Sequence, residues 1–342
     1  SLNRGFSAPI TLQTEQKAED QIFLAGHDSD PFARWQAFNT LLTEALIAAF
    51  RQIRGGKTPA FAPELAALAG RIAANEDLEP AYRALALALP TEADIAREIG
   101  TDIDPDAIFE ARTALARSIA QANEQAFRDL YERLRDNGDF SPDAASAGRR
   151  ALRNALLDYL SLLEAGATLA AAHFDAATNM TDRAAALSVL AHRHAGSPQA
   201  AEALAAFEAR YRVDPLAMDK WFQVQASTPG PHAVETVRGL TSHAAFSISN
   251  PNRVRALVGT FANANQTGFH RADGEGYRFF ADVILEVERR NPQVAARLAT
   301  AMRSWRSLEP GRQAKARAAL LSIAGAGNLS TDLRDIVERM LA

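Results

Sequence analysis

Apolar residues recur along this chain at helical spacing almost from end to end. Between Pro105 and Asn137 the residues Ile108, Ala111, Leu115, Ile119, Ala126, Leu130 and Leu134 return at steps close to 3.6, which predicts one long helix. Ala151–Leu163 repeats the pattern through Leu152, Leu156, Leu157, Tyr159, Leu160 and Leu163. Seven of the fifteen prolines follow a residue able to cap a helix: Asp30-Pro31, Asp104-Pro105, Ser141-Pro142, Ser197-Pro198, Asp214-Pro215, Asn250-Pro251 and Asn291-Pro292. Each pairs a side-chain acceptor with a preset φ at the next position, so each marks a helix start. Gly70, Gly100, Gly138 and Gly325/Gly327 stand as stops or loop residues. Strand signals are nearly absent after the first residues. Ser1–Thr14 differs, because Phe6, Ala8, Ile10 and Leu12 alternate with polar or small residues at period two. A lone strand cannot form a sheet, so residues 1–14 read as an extended arm left from an upstream β-domain. Residues 15–342 read as roughly sixteen helices of about 8–30 residues joined by short turns. That order predicts an all-α fold in which antiparallel helix pairs stack into an ARM/HEAT-like α-solenoid or superhelix.

The most informative stretch runs from Met218 to Phe261. Asp214-Pro215 opens a helix carrying Trp221 and Phe222, and Ser227-Thr228-Pro229-Gly230-Pro231 ends it, because neither proline can continue a helix. A short helix follows from about His232 to Leu240, and Asn250-Pro251 starts a third. Asp273-Gly274-Glu275-Gly276 reads as a loop before a helix.

Composition narrows the class. Hydrophobic residues make up 47% and aromatics only 7%, so the core is to be built mainly from aliphatic and alanine side chains. Trp35, Trp221, Trp305, Phe222, Phe279 and Phe280 are its large anchors. There is no cysteine, which excludes disulfides and thiolate metal sites and suits a reducing compartment. No window is apolar enough to span a membrane, and no export signal is visible, so the expected location is cytoplasmic. The net charge of −4 argues against nucleic acid as a partner, as does the lack of aromatics interleaved with basic residues. Charge is uneven, however: Arg238–Arg317 holds thirteen Lys/Arg against six Asp/Glu. These form either solvated helix faces or a basic wall facing an anionic group.

Residues able to perform hydrolysis are not arranged for it. A zinc peptidase needs two histidines one turn apart with a glutamate between them. The seven histidines, His27, His173, His192, His194, His232, His243 and His270, contain no such pair. His192 and His194 are two apart, face different sides of a helix and are expected to face solvent. No Gly-x-Ser-x-Gly elbow occurs, and Gly274 and Gly276 do not follow a strand as a phosphate-cradling loop would. No catalytic residue and no metal ligand is therefore assigned. Arg253 and Arg255 start the helix opened by Asn250-Pro251, where a cation opposes the macrodipole and needs a partner elsewhere. Gln293 and Arg297 share one face of the helix opened by Asn291-Pro292.

The motifs MDKWF, ETVRGL, SNPNRVRALVGTF, HRADGEGY and RNPQVAAR resemble the C-terminal helical domain of the bacterial M1-family zinc aminopeptidases of the aminopeptidase N type. LNRGFSAPI, FARWQAF, NALLDYL and TNMTDRAAAL follow the same pattern upstream, so the resemblance covers essentially the whole chain. It implies a fragment whose partners are the catalytic and β-sandwich domains of the same polypeptide. It implies a superhelix that caps the catalytic domain, encloses the active-site chamber and controls access of peptide substrates, in an enzyme that is monomeric when complete. The resemblance also implies that Gln293 and Arg297 line the chamber, with Arg255 on its wall. Zinc is implied for the missing domain and no cofactor for this stretch, which is expected to be inactive alone. Two other readings stay open at this point: a free-standing α-solenoid that binds peptide or protein on its concave face, and a helical-repeat enzyme acting on nucleic acid.

Overall fold

The computed structural model describes residues 16–135 and 138–342. Twenty α-helices lie among them, from four to twenty-four residues long, and the only strand-like feature described is a parallel bridge between Ile103 and Leu308. The fold is all-helical, as the periodicity predicts. The extended arm expected over 1–14 lies outside the described residues.

Helix starts follow the proline rule at six of the seven positions. Asp30, Ser197, Asp214, Asn250 and Asn291 each accept hydrogen bonds from backbone N–H groups of the first turn. Pro105 opens its helix as well. At Ser141-Pro142 the start is displaced: the helix runs Ala144–Leu160, and Asp143 caps it by accepting from Ser146 N. Ser141 instead donates its hydroxyl to the Asp143 carboxylate at 2.5 Å.

The single helix expected from Pro105 to Asn137 is two, Pro105–Ala122 and Glu124–Arg133. Asn123 breaks it, with φ −122° and ψ 16°, because its side-chain amide donates to Ala66 O and Ile119 O, both at 2.9 Å. Gly70 is the counterpart. It lies inside the helix Pro63–Ala74 and is not a stop; a Cβ there would sit 2.0 Å from Asn123 Oδ1. Gly100 does end a helix, at φ +85°.

The chain divides into two compact units, residues up to Ile95 with Ala107–Ala186, and Ala96–Asp106 with Leu187–Ala342. In the first, Phe38, Leu42, Leu46, Leu68, Leu87 and Phe127 are fully buried. The helix Pro80–Ala86 packs there on Ala144–Leu160, and the Tyr159 hydroxyl donates to Leu87 O at 2.7 Å. Trp35 belongs to this unit but is only half-buried, lying against exposed Phe32 and not in the core.

In the second unit the core is aromatic. Phe269 meets Phe261, Tyr277 and Phe280 edge to face, with centroids 5.1–5.8 Å apart, the geometry that ring quadrupoles favour. The short segment Ala96–Asp106 is fastened to this core by Arg312. This buried guanidinium pairs with Asp104 at 3.2 Å, with Glu309 at 3.3 Å and with Asp106. Beside it Ile103 N donates to Ser307 O, and Glu309 N donates to Ile103 O, both at 2.9 Å.

Candidate functional site

The helical run from Pro251 to Ala264 supplies one wall of a groove in the second unit. Asn250 caps it by accepting from Asn252 N and Arg253 N. Its middle, Arg255–Gly259, is a turn of π-helix, which places Thr260 five residues on beneath Arg255. Arg255, Gly259, Thr260, Asn263 and Ala264 thereby share one face. Asn265 fixes the end of the run: its amide donates to Ala226 O at 2.9 Å and Thr228 O at 2.7 Å, and its Oδ1 accepts from Gly268 N. That buried residue therefore ties the groove wall to the turn following Trp221 and Phe222.

The facing wall is the helix Pro292–Ala299, capped by Asn291, with Val294, Arg297 and Leu298 turned to the groove at spacing i, i+3, i+4, and Thr300 just beyond. The cavity between the walls measures about 420 Å³, within the range of small-ligand and peptide-side-chain sites. No carboxylate lines it. Arg255 Nη1 donates to Asn252 Oδ1 at 3.1 Å, and neither Arg255 nor Arg297 has an acidic partner among the described residues. The groove thus offers two exposed guanidinium groups, three neutral hydrogen-bonding side chains and an aliphatic floor, a surface suited to carbonyl and carboxylate oxygens.

The structure brings Arg255 and Arg297, forty-two positions apart in sequence, to one groove. Gln293 is exposed one turn before Arg297 on the same helix but does not line the groove. Arg253 separates from Arg255 entirely. It is buried, pairs with Asp219 at 2.6 Å, donates to Pro215 O at 3.1 Å and lies over the Phe222 ring. Its partner beyond the first helical turn is therefore internal, and it holds the Trp221 helix to the groove wall.

Much of the basic surplus is absorbed in the same way. Arg253 pairs with Asp219, Arg271 with Glu235, and Arg312 with Asp104 and Asp106, all carboxylates outside that stretch, so the surplus is not one continuous basic wall. His192 does not face solvent either: it is half-buried, its Nε2 lying 3.0 Å from Ser227 Oγ and 3.2 Å from Val224 O. His194 is likewise only half-exposed. Among the described residues no group of three or more His, Asp or Glu is placed to hold a metal ion.

Thr260, Asn263, Thr300 and the anchoring Asn265 had no signal in the sequence beyond polarity. Thr260 and Asn263 fall on the Arg255 face only through the π-turn, and Asn265 acts through partners almost forty positions away.

Comparison with known proteins gives a consistent picture. Residues 18–342 match the family described as "Domain of unknown function (DUF3458_C) ARM repeats". Aminopeptidase N of Caulobacter vibrioides is 40% identical over 340 residues, covering 99% of this chain and 39% of that protein. Aminopeptidase N of Escherichia coli is 34% identical over 339 residues, covering 98% of this chain and 38% of that protein. The crystal structure of Legionella pneumophila aminopeptidase A in complex with aspartic acid superposes with a TM-score of 0.88 at 28% identity, covering 99% of this chain and 40% of that one. The chain thus spans about two-fifths of the length of the relatives it matches.

Proposed function

The chain belongs to the DUF3458_C ARM-repeat family, and from that premise we propose that it is the helical domain that closes over the catalytic domain of an aminopeptidase N-type enzyme. The observation that carries this reading is the pairing of two facts. Similarity to aminopeptidase N runs along 99% of this chain, yet it reaches only 39% of the relative. The remaining three-fifths is where a catalytic domain and a β-sandwich domain belong, and they are the partners of this chain within one polypeptide.

In that setting the domain encloses the active-site chamber and admits peptides and short unfolded segments. Arg255 and Arg297 serve the chamber wall, with Gln293 beside them. Their guanidinium groups hold the carbonyls or terminal carboxylate of a peptide on the side away from the cleaved bond. Thr260, Asn263 and Thr300 add neutral hydrogen bonds, and Val294 and Leu298 give apolar contact.

The zinc of such an enzyme does not fit the residues present here. No two histidines flank a glutamate at helical spacing, and no donor set is assembled among the described residues. Its ligands, and the groups that activate water, therefore belong to the part of the polypeptide outside these 342 residues, and the enzyme is cytoplasmic and monomeric in this reading.

The experiment is direct. The purified chain is incubated with a chromogenic aminoacyl substrate and added zinc. The expected result is no turnover; turnover abolished by substituting a residue within the chain would overturn the proposal.

A further inference from the structure

The helical run from Pro251 to Ala264 carries a glycine at position 259 for which its own fold gives no reason. Glycine is the poorest helix former after proline, because it loses the most backbone freedom on folding. A helix interior keeps one at a cost in stability, and the usual reason is a neighbouring atom that leaves no room for a Cβ. Gly70, Gly268 and Gly276 are accounted for in this way: an added Cβ would lie 2.0, 2.7 and 2.2 Å from its nearest neighbour. Gly259 is different. Its φ of −62° and ψ of −44° suit any residue, and an added Cβ would meet nothing closer than 3.7 Å, an ordinary van der Waals contact. Neither the backbone nor the packing requires glycine there.

What its missing side chain does affect is the groove. Gly259 is half-buried and belongs to the lining of the 420 Å³ cavity. The two atoms at 3.7 Å are Arg255 Cβ and Leu298 Cδ2, one from each wall, so a side chain at 259 would stand in the space between them. Ala256, Leu257 and Val258, the three residues before it, are buried in the core. The surfaces nearest to Gly259 are aliphatic, namely the stem of Arg255 and the tip of Leu298, and Val294 lies in the same lining. The polar side of the groove is kept apart from this spot: the Asn263 amide donates to the Gly259 carbonyl at 2.8 Å and so covers its one polar acceptor.

We propose that Gly259 is a specificity-determining residue. By carrying no side chain it opens a seat, between Arg255 and Leu298, for a bulky apolar side chain of a bound peptide. This rests on the reading of the groove as a peptide site. The occupant is a leucine- or phenylalanine-sized residue downstream of the cleaved bond, and its main-chain carbonyls stay available to the two guanidinium groups.

Stability and specificity should move in opposite directions. In the 342-residue chain Gly259→Ala should raise the melting temperature by about 1–3 °C, because alanine regains helix stability and meets no clash. Gly239→Ala is the control for helix propensity: Gly239 is exposed in the helix Ala233–Leu240, has no atom within 4 Å of an added Cβ and does not line the groove. The longer polypeptide is then assayed on tetrapeptides whose residues after the cleaved bond are, one at a time, alanine, leucine or phenylalanine. At one of these positions KM should be about tenfold lower for leucine or phenylalanine than for alanine. Gly259→Ala should shrink that advantage at least threefold, and Gly239→Ala should leave it as it was. The inference falls if Gly259→Ala alters the preference at no position, or if it raises KM equally for the alanine and the leucine peptides. It falls equally if the variant melts below the parent chain, since the glycine then serves packing. Should Gly259→Ala have no effect while Arg255→Ala combined with Arg297→Ala raises KM for the tetrapeptides, the groove remains a peptide site and this inference alone is refuted. No effect from either variant refutes both.

Discussion

Each of the two units buries one neutral histidine, and this makes stability depend on pH well above the range where carboxylates titrate. Burial lowers His173 to about 4 and His270 to about 3, the latter helped by the adjacent charge of Arg312. In the unfolded chain both return to about 6.5. Between that value and the folded values the unfolded state binds more protons than the folded one, so stability falls as pH falls through this window. At about 1.4 kcal/mol per pH unit, lowering the pH from 7 to 5 removes about 2 kcal/mol at each histidine. Against a typical stability of about 5–15 kcal/mol that is a large fraction. Urea unfolding at pH 7, 6 and 5 measures it, with circular dichroism reporting the whole chain. Tryptophan fluorescence weights the second unit, where Trp221 and Trp305 are buried. His270→Asn should flatten the pH dependence of the second unit while lowering its stability at pH 7. Equal unfolding free energies at pH 7 and 5 would refute the reasoning. A folded-state His270 imidazole that titrates near 6.5 would do so equally.

Two further perturbations test the local packing. Gly70→Ala, in the middle of a helix where alanine ordinarily gains about 1 kcal/mol, should instead destabilise by about 2–4 kcal/mol. The new methyl would collide with Asn123 Oδ1 and break its bonds to Ala66 and Ile119; thermal melts of the single and the Gly70→Ala/Asn123→Ala double variant read the coupling. Arg253→Ala should cost about 2 kcal/mol by removing a buried guanidinium and leaving half-buried Asp219 without its partner, whereas Arg255→Ala, two residues on and exposed, should change stability by less than about 0.5 kcal/mol. Chemical denaturation of the two variants side by side would show a wrong assignment as equal losses.

Features that depend on neighbours in sequence were legible in advance. An Asp, Ser or Asn before proline satisfies the first turn by itself, which is why six of seven such starts hold. At the seventh, Ser141 turns its hydroxyl to Asp143, and the better acceptor takes the cap two positions later. What depends on distant partners was not legible. Asn123 has no special preference for ending a helix; it does so because Ala66 O comes within reach from a helix fifty-seven positions away. Arg253 and Arg255 look alike in the sequence, and only the position of Asp219 makes one internal and leaves the other facing the groove. The groove itself combines a motif that sequence could flag, the Gln293/Arg297 helix, with a π-turn that shifts the facing wall by one residue. No spacing argument based on regular helices anticipates Thr260 and Asn263.

The proposed role is that this domain shapes access to chemistry performed elsewhere in a longer polypeptide. Steady-state kinetics of that polypeptide, with Arg255→Ala and Arg297→Ala combined, address it most directly. Loss of two charge-assisted contacts, each about 1 kcal/mol in a half-open groove, should raise KM for a tetrapeptide about tenfold or more. KM for a single aminoacyl anilide, and kcat for both substrates, should stay unchanged. A double variant that treats the long and the short substrate alike, or that loses kcat on both, would contradict a role for this domain in substrate access.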